Sequence, residues 1–188
     1  CLYSVRKSAY QPMYSEACSD FLICTVIYRQ GLRSIYEPNA ICMEETNQQS
    51  DKEMKMRVRV ISQTFTDLWR NVDMMNPFKS GFYAIELLSH KVLRYSVPLF
   101  LFLILISSTV LALSSLFFAL VLGAQIVFYL MAFGAWLLEK AGFRLGVFSI
   151  PLYLVLTNFA SLVGFYKFLR GESYRTWEPI RETENVKT

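Results

Sequence analysis

From Tyr95 to Leu138 the chain carries no Asp, Glu, Lys or Arg. A domain of 188 residues has no interior large enough to cover 44 consecutive uncharged, mostly apolar residues, so the run belongs in lipid. One membrane helix needs about 20 apolar residues, and the run is long enough for two spans joined by a tight turn, expected near Ser114 and Ser115. After the charged loop 139–144, a third apolar stretch from Gly146 to Tyr166 contains Pro151 and Asn158. It reads as a third span or a kinked one, since proline is tolerated in lipid where neighbouring helices re-satisfy the backbone. The position and length of the apolar block exclude a cleaved signal peptide.

Charge divides the chain. Residues 1–94 hold 12 of the 19 Lys and Arg and 10 of the 15 Asp and Glu, the mixed charge of a water-facing surface. The basic residues that gather just before the first span mark that half as cytoplasmic. A net charge of +4 gives no reason to expect nucleic acid. The opening Cys1-Leu2-Tyr3-Ser4-Val5-Arg6, without Met, reads as the middle of a domain, and the chain is expected to be a fragment. Cys1, Cys18, Cys24 and Cys42 show no C-x-x-C pairing and no histidine cluster, so no zinc site is expected, only reduced and partly buried thiols.

Along the polar half, residues 20–30 read as a short helix ended by Gly31, followed by a short strand at Arg33-Ser34-Ile35-Tyr36 that Pro38 limits. Glu45 to Lys52 reads as a loop. From Lys52 to about Asn76 the apolar residues Met54, Val58, Ile61, Phe65 and Leu68 recur at helical spacing, and the opposite face is basic. Asp51 and Glu53 suit the start of that helix through the macrodipole. Ser80 is expected to cap a further helix whose stripe Phe82, Ile85, Leu88, Val92 and Tyr95, with Lys91 and Arg94 at its far end, describes an interfacial helix on the cytoplasmic leaflet. His90 is expected at the surface, Gln125 to bond a neighbouring helix, and Trp69, Trp136 and Trp177 to anchor at headgroup level. The chain contains no D-x-D and no glycine-rich phosphate loop.

The polar motifs run in a suggestive order. Cys1-Leu2-Tyr3-Ser4-Val5-Arg6-Lys7, Ser19-Asp20-Phe21, Gln30-Gly31-Leu32-Arg33-Ser34-Ile35-Tyr36-Glu37-Pro38-Asn39-Ala40 and Arg57-Val58-Arg59 precede the membrane spans, and Trp177-Glu178-Pro179-Ile180-Arg181 closes the chain. Over nearly its whole length the chain thereby resembles the C-terminal part of a membrane-bound family 2 glycosyltransferase of the polysaccharide-synthase type. The resemblance implies an α-helical membrane domain of two to three transmembrane helices plus an interfacial helix, following the C-terminal portion of a GT-A type α/β domain. The boundaries that follow are 1–78 for the GT-A portion, 79–95 for the interfacial helix, 96–170 for the transmembrane region and 171–188 for a polar tail.

The same resemblance assigns roles. Asp20 matches the second carboxylate of an acidic pair that takes the proton from the acceptor hydroxyl, a task that needs a carboxylate on a rigid element. Ser19 stands where the family has Glu or Asp, and a helix cap is the alternative role for Asp20. Arg57 and Arg59 match a basic segment that can grip a departing diphosphate in bidentate fashion, although the strict Q-x-x-R-W is absent; the alternative is a solvated basic face. Tyr3, Arg6 and Lys7 match a segment beside the acceptor pocket. The implied donor is a nucleotide-diphosphate sugar, the acceptor a polysaccharide or a lipid-linked sugar, and the surrounding partner membrane lipid. A divalent metal, Mg or Mn, is expected through a D-x-D upstream of this chain, with none bound by these residues. The rival reading is a non-catalytic membrane scaffold or assembly subunit. A transporter is disfavoured by the lack of ionisable groups within the spans.

Overall fold

A computed structural model of the chain describes residues 3–43, 50–143 and 146–172. Helix α1, Ser19–Arg29, buries Phe21, Leu22, Ile23, Thr25 and Ile27. It stops where expected, because Gly31 at φ 73° lets the chain turn back: Gly31 N–H donates to the Tyr28 carbonyl at 2.9 Å and Leu32 N–H to Ile27 at 3.2 Å. A left-handed glycine with these two bonds satisfies the last carbonyls of a helix. The strand expected at 33–36 is absent. Ile35 and Tyr36 are almost fully exposed and no strand occurs among the described residues, so this extended segment lacks the ladder partner a strand requires.

Helix α2, Ser50–Arg70, buries Val58, Ile61 and Leu68 along the expected stripe. It ends six residues sooner than its periodicity suggested, in a 3-10 turn over Val72–Met75. Asn76, rather than Ser80, caps the next turn: its side chain accepts from Phe78 N–H at 2.9 Å, and Pro77 fills the first helical position. Ser80 is buried instead, its carbonyl accepting the Tyr28 hydroxyl at 2.9 Å. Gly81, at φ 53°, then redirects the chain.

Three helices are long and apolar enough to cross a membrane, and the protein is a membrane protein with an all-helical fold among its described residues. Helix α3, Phe82–Leu111, is one 30-residue rod in which the stretch expected as an interfacial helix continues into the first apolar span. At 1.5 Å per residue it is about 45 Å long against a hydrocarbon core of about 30 Å, so its charged start extends beyond the lipid tails. A π turn occupies Leu88–Leu93, just before Pro98. The hairpin turn falls at the expected serines: Ser114 and Ser115 N–H both donate to the Leu111 carbonyl, and Ser115 is extended. Helix α4, Leu116–Lys140, returns. Gln125 ties the two together, donating to the Leu101 carbonyl at 3.1 Å. Helix α5, Ser149–Leu169, has Pro151 in its first turn, where a missing N–H breaks no helical bond.

The feature that organises the fold is the pairing of α2 with α5. They run in the same direction, side by side. Arg57 meets Tyr153 near their starts, and Phe65 meets Phe165 and Phe168 near their ends, with ring centroids 5.0 and 5.8 Å apart. Between these points a Cβ on Gly164 would stand 2.8 Å from Ile61 Cγ2 and 3.1 Å from the Val58 carbonyl oxygen, so only glycine permits the approach. Both ends of α2 also reach the open end of the hairpin. Ser50 N–H donates to the Glu139 carboxylate at 2.8 Å, placing an anion on the α2 N-terminus, while Leu68 packs with Leu87 and Val92 at the start of α3. Helix α2 carries eight Asp, Glu, Lys and Arg side chains. Each would cost about 2.5–3.5 kcal/mol at the centre of a bilayer, and α2 is not among the helices apolar enough to cross one.

The Gly164 contact gives a direct expectation. Gly164→Val should force α2 and α5 apart and cost about 1–3 kcal/mol, read as a fall in the unfolding midpoint in detergent, whereas Gly134→Val, with open space around its Cβ, should cost less.

Candidate functional site

The N-terminus of α1 is held by a buried carboxylate that reaches it from α2. Thr64 and Asp67 of α2 and Asn71, the residue just past its end, are all buried. Asp67 Oδ1 accepts from the Tyr14 hydroxyl, and Oδ2 accepts from Cys18 N–H at 2.9 Å. Arg70 stacks over the Tyr14 ring, 4.2 Å from its centroid, and pairs with Glu16 at 3.4 Å. Lys91 sits over the Phe21 ring at 4.8 Å. The segment 14–18 is thus clamped between α2 and the start of α1, over the apolar cluster of Phe21, Leu68, Met74 and Leu87.

Burial pushes the Asp67 carboxyl up to about 6, against the lowering pull of its bonds to Tyr14 and Cys18 and of the Arg70 and Lys91 charges. Burial, reinforced by Asp67, also raises the Tyr14 phenol, and burial raises the Cys18 thiol, which makes it an inert sulfhydryl. Cys18, Cys24 and Cys42 are free; Cys18 is half-buried as expected, whereas Cys24 and Cys42 are exposed. Cys1 lies outside the described residues.

Asp20 is the second residue of α1 and is exposed. Cys18 occupies the cap position, so Asp20 is not the cap; its carboxylate stands in the first turn with no hydrogen-bond partner among the described residues. Asp20 and Asp67 both act on the Cys18 thiol, so a second carboxylate does flank this helix start, supplied by α2 and not by position 19.

Arg57 and Arg59 are not brought together. Two residues apart on a helix, they point to opposite sides. Arg57 pairs with Glu53 at 2.7 Å and stacks on Tyr153 at 4.7 Å, a tie between α2 and α5. Arg59 is half-exposed and has no ion pair or hydrogen bond among the described residues. Tyr3 and Arg6 are also exposed. The Arg6 carbonyl closes a turn onto Ala9, which packs on Ile23 and Ile27 and is held by Gln30, so this segment sits toward the far end of α1 from Asp20. Lys7 is exposed beside it.

A groove of about 200 Å³ opens along the α2 and α5 seam, lined by Glu16, Ser62, Thr66, Arg70, Phe168 and Glu172 among others. It is smaller than the roughly 300–1,000 Å³ of complete small-molecule sites. His90 is exposed, as expected; Glu37 accepts from the Asn39 backbone in a turn, and Lys140 lies over Trp136 at 4.0 Å. Trp69 is exposed on α2, and Trp177 with the rest of its motif lies outside the described residues. Among the described residues no group of three His, Cys, Asp or Glu side chains is placed to hold a metal. Compared with known proteins, the chain matches no family model, no curated protein and no solved structure.

Asp67 and Tyr14 escaped the sequence reading, although one signal was present: a carboxylate flanked by Phe65 and Leu68 interrupts the buried stripe of α2. Because the folded-state value of Asp67, about 6, exceeds its ordinary value of 3.8, the folded protein holds this proton more tightly. Its contribution to stability is therefore fullest below about pH 4 and is lost as pH rises through 6. Unfolding midpoints measured from pH 4 to 7 should show this decline in the parent protein and a flattened profile in Asp67→Asn. Asp67→Ala, which leaves Cys18 N–H and the Tyr14 hydroxyl without a partner, should cost about 2–4 kcal/mol.

Proposed function

We propose that this chain is the membrane-proximal part of an inverting glycosyltransferase, moving a sugar from a nucleotide-diphosphate donor to a polysaccharide or lipid-linked acceptor at the cytoplasmic membrane face. One observation carries the reading: Asp20 presents an exposed carboxylate, without a partner among the described residues, on a helix start that the Asp67 clamp fixes to α2, and through α2 to the membrane helices. It adds to the motif order that resembles family 2 glycosyltransferases. In the proposal the acceptor hydroxyl oxygen attacks the anomeric carbon while its proton passes to Asp20. The bond to the nucleoside diphosphate breaks, and the configuration at that carbon inverts. Arg59, whose guanidinium has no ion pair or hydrogen bond among the described residues, is the better placed of the two arginines to meet the negative charge on the leaving diphosphate.

The donor-binding half is assigned to a GT-A type domain preceding Cys1, together with the metal of its D-x-D. The chain by itself is expected to be inactive.

The test uses the full-length enzyme in membranes with radiolabelled UDP-glucose, UDP-galactose and UDP-N-acetylglucosamine as donors. Asp20→Asn should lower transfer about 10²–10⁴-fold while leaving the unfolding midpoint in place. Transfer that persists unchanged removes Asp20 as the base and favours the scaffold reading. The arginines should separate: Arg59→Ala is expected to reduce transfer at least tenfold without loss of stability, whereas Arg57→Ala should lower the unfolding midpoint by breaking its ties to Glu53 and Tyr153.

A further inference from the structure

Length and composition allow α5 to cross the membrane, but its contacts place it elsewhere. Its first turns adjoin the end of α4 and the start of α2: Tyr153 meets Arg57, and Ser50 of the same α2 turn region is bonded to Glu139. Its last turns adjoin Phe65, which in turn contacts Tyr95 at 5.6 Å, near the start of the apolar part of α3. The end of α4 and the start of α3 are the same end of the hairpin. A third span rising from there would finish beside Ser114 and Ser115 at the opposite end, and α5 does not. Its C-terminal end instead borders the groove formed with Glu16 and Arg70 of the polar half, where Lys167 pairs with Glu172 at 2.9 Å.

The faces of the pair agree. Ala160, Ser161 and Gly164 of α5 are buried, whereas Ile150, Leu154, Phe159, Leu162 and Phe165 are exposed. Helix α2 covers one side of α5 along its length and bears the charges. The pair is therefore polar on one side and apolar on the other, beside a hairpin that is itself apolar all round.

We infer that α2 and α5 form a layer lying in the plane of the bilayer surface, α2 toward water and α5 toward the headgroups and upper acyl chains, so that the described chain crosses the membrane twice and residues 170–172 return to the side of the polar half. The occupant of the exposed face of α5 is lipid, because that face continues the apolar surface of the hairpin and is flanked by Lys140, Lys167 and Arg170, as an amphipathic interfacial element requires. The two-crossing topology also puts Lys167 and Arg170, at the end of α5, on the same side as the basic residues before α3, in keeping with the positive-inside tendency. None of this depends on the catalytic reading.

The test uses the full chain in proteoliposomes, in a background lacking the native cysteines, with a spin label on Phe159→Cys or Leu103→Cys. Accessibility to oxygen and to a water-soluble nickel complex reports depth. Position 159 is expected at the headgroup and acyl boundary, about 5–10 Å into the leaflet, and position 103 near the midplane. A label at 159 as deep as that at 103 would overturn the inference. In intact vesicles, Glu172→Cys and Asn39→Cys are expected to react with a membrane-impermeant maleimide from the same side; labelling from opposite sides would overturn it equally. The two readouts keep a failure of topology distinct from a failure of catalysis.

Discussion

A charged helix and an apolar helix lie against each other along their whole length, and this seam between α2 and α5 decides where everything else sits. Its closest point is Gly164 against Ile61 and the Val58 backbone, an approach that any side chain at 164 would prevent. Small residues recur at the other contacts among the apolar helices, at Ser108, Ala132, Ala135 and Ala160, as expected where packing, not exclusion of water, drives helix association. Because the seam also brings Glu139 to the start of α2 and Phe65 to Tyr95, it fixes the polar half to both legs of the hairpin at once.

On the far side of α2 the same helix holds α1 by a different kind of contact. An ionised carboxylate at the depth of Asp67 is costly, and its bonds to Tyr14 and Cys18 offset that cost only while both partners are in place. A hydrogen bond to a charged group contributes about 1.5–3 kcal/mol, enough to fix a short loop whose apolar contacts are few. The result is geometric. Segment 14–18 enters α1 at one angle, and Asp20 emerges in the first turn with its carboxylate toward water. If Asp20 is a base, its position is inherited from Asp67, from α2 and finally from the membrane.

Much of this was legible in the sequence. The charge-free run told of the hairpin and its turn at Ser114 and Ser115, Gly31 of the end of α1, and the spacing of Val58, Ile61 and Leu68 of the buried face of α2. Local patterns fall short where a partner decides. Alternation at 33–36 describes a strand only if another strand lies beside it, and none does among the described residues. Ser80 has a capping side chain, but Asn76 with Pro77 competes successfully one turn earlier. Pairing of α2 with α5, separated by about 100 residues in sequence, is invisible to periodicity, since both helices have other faces that could be buried. Asp20 was found through resemblance; its supporting carboxylate, Asp67, is a long-range contact that no nearby motif announces. Arg57 and Arg59 point to opposite sides of α2, a consequence of helical geometry that their spacing already contained.

The central claim is that α2 and α5 touch at Ile61 and Gly164 in the membrane-embedded protein. Cross-linking of a Phe65→Cys, Phe165→Cys pair by a short thiol-specific reagent in native membranes tests it most directly, because the two rings meet with centroids 5.0 Å apart one turn from the Ile61 and Gly164 contact and neither position requires glycine. The account predicts rapid cross-linking of this pair, with little for Ile61→Cys paired with Phe159→Cys. Failure of the first pair to cross-link, while a pair across the hairpin at Leu101 and Gln125 does so, would contradict it.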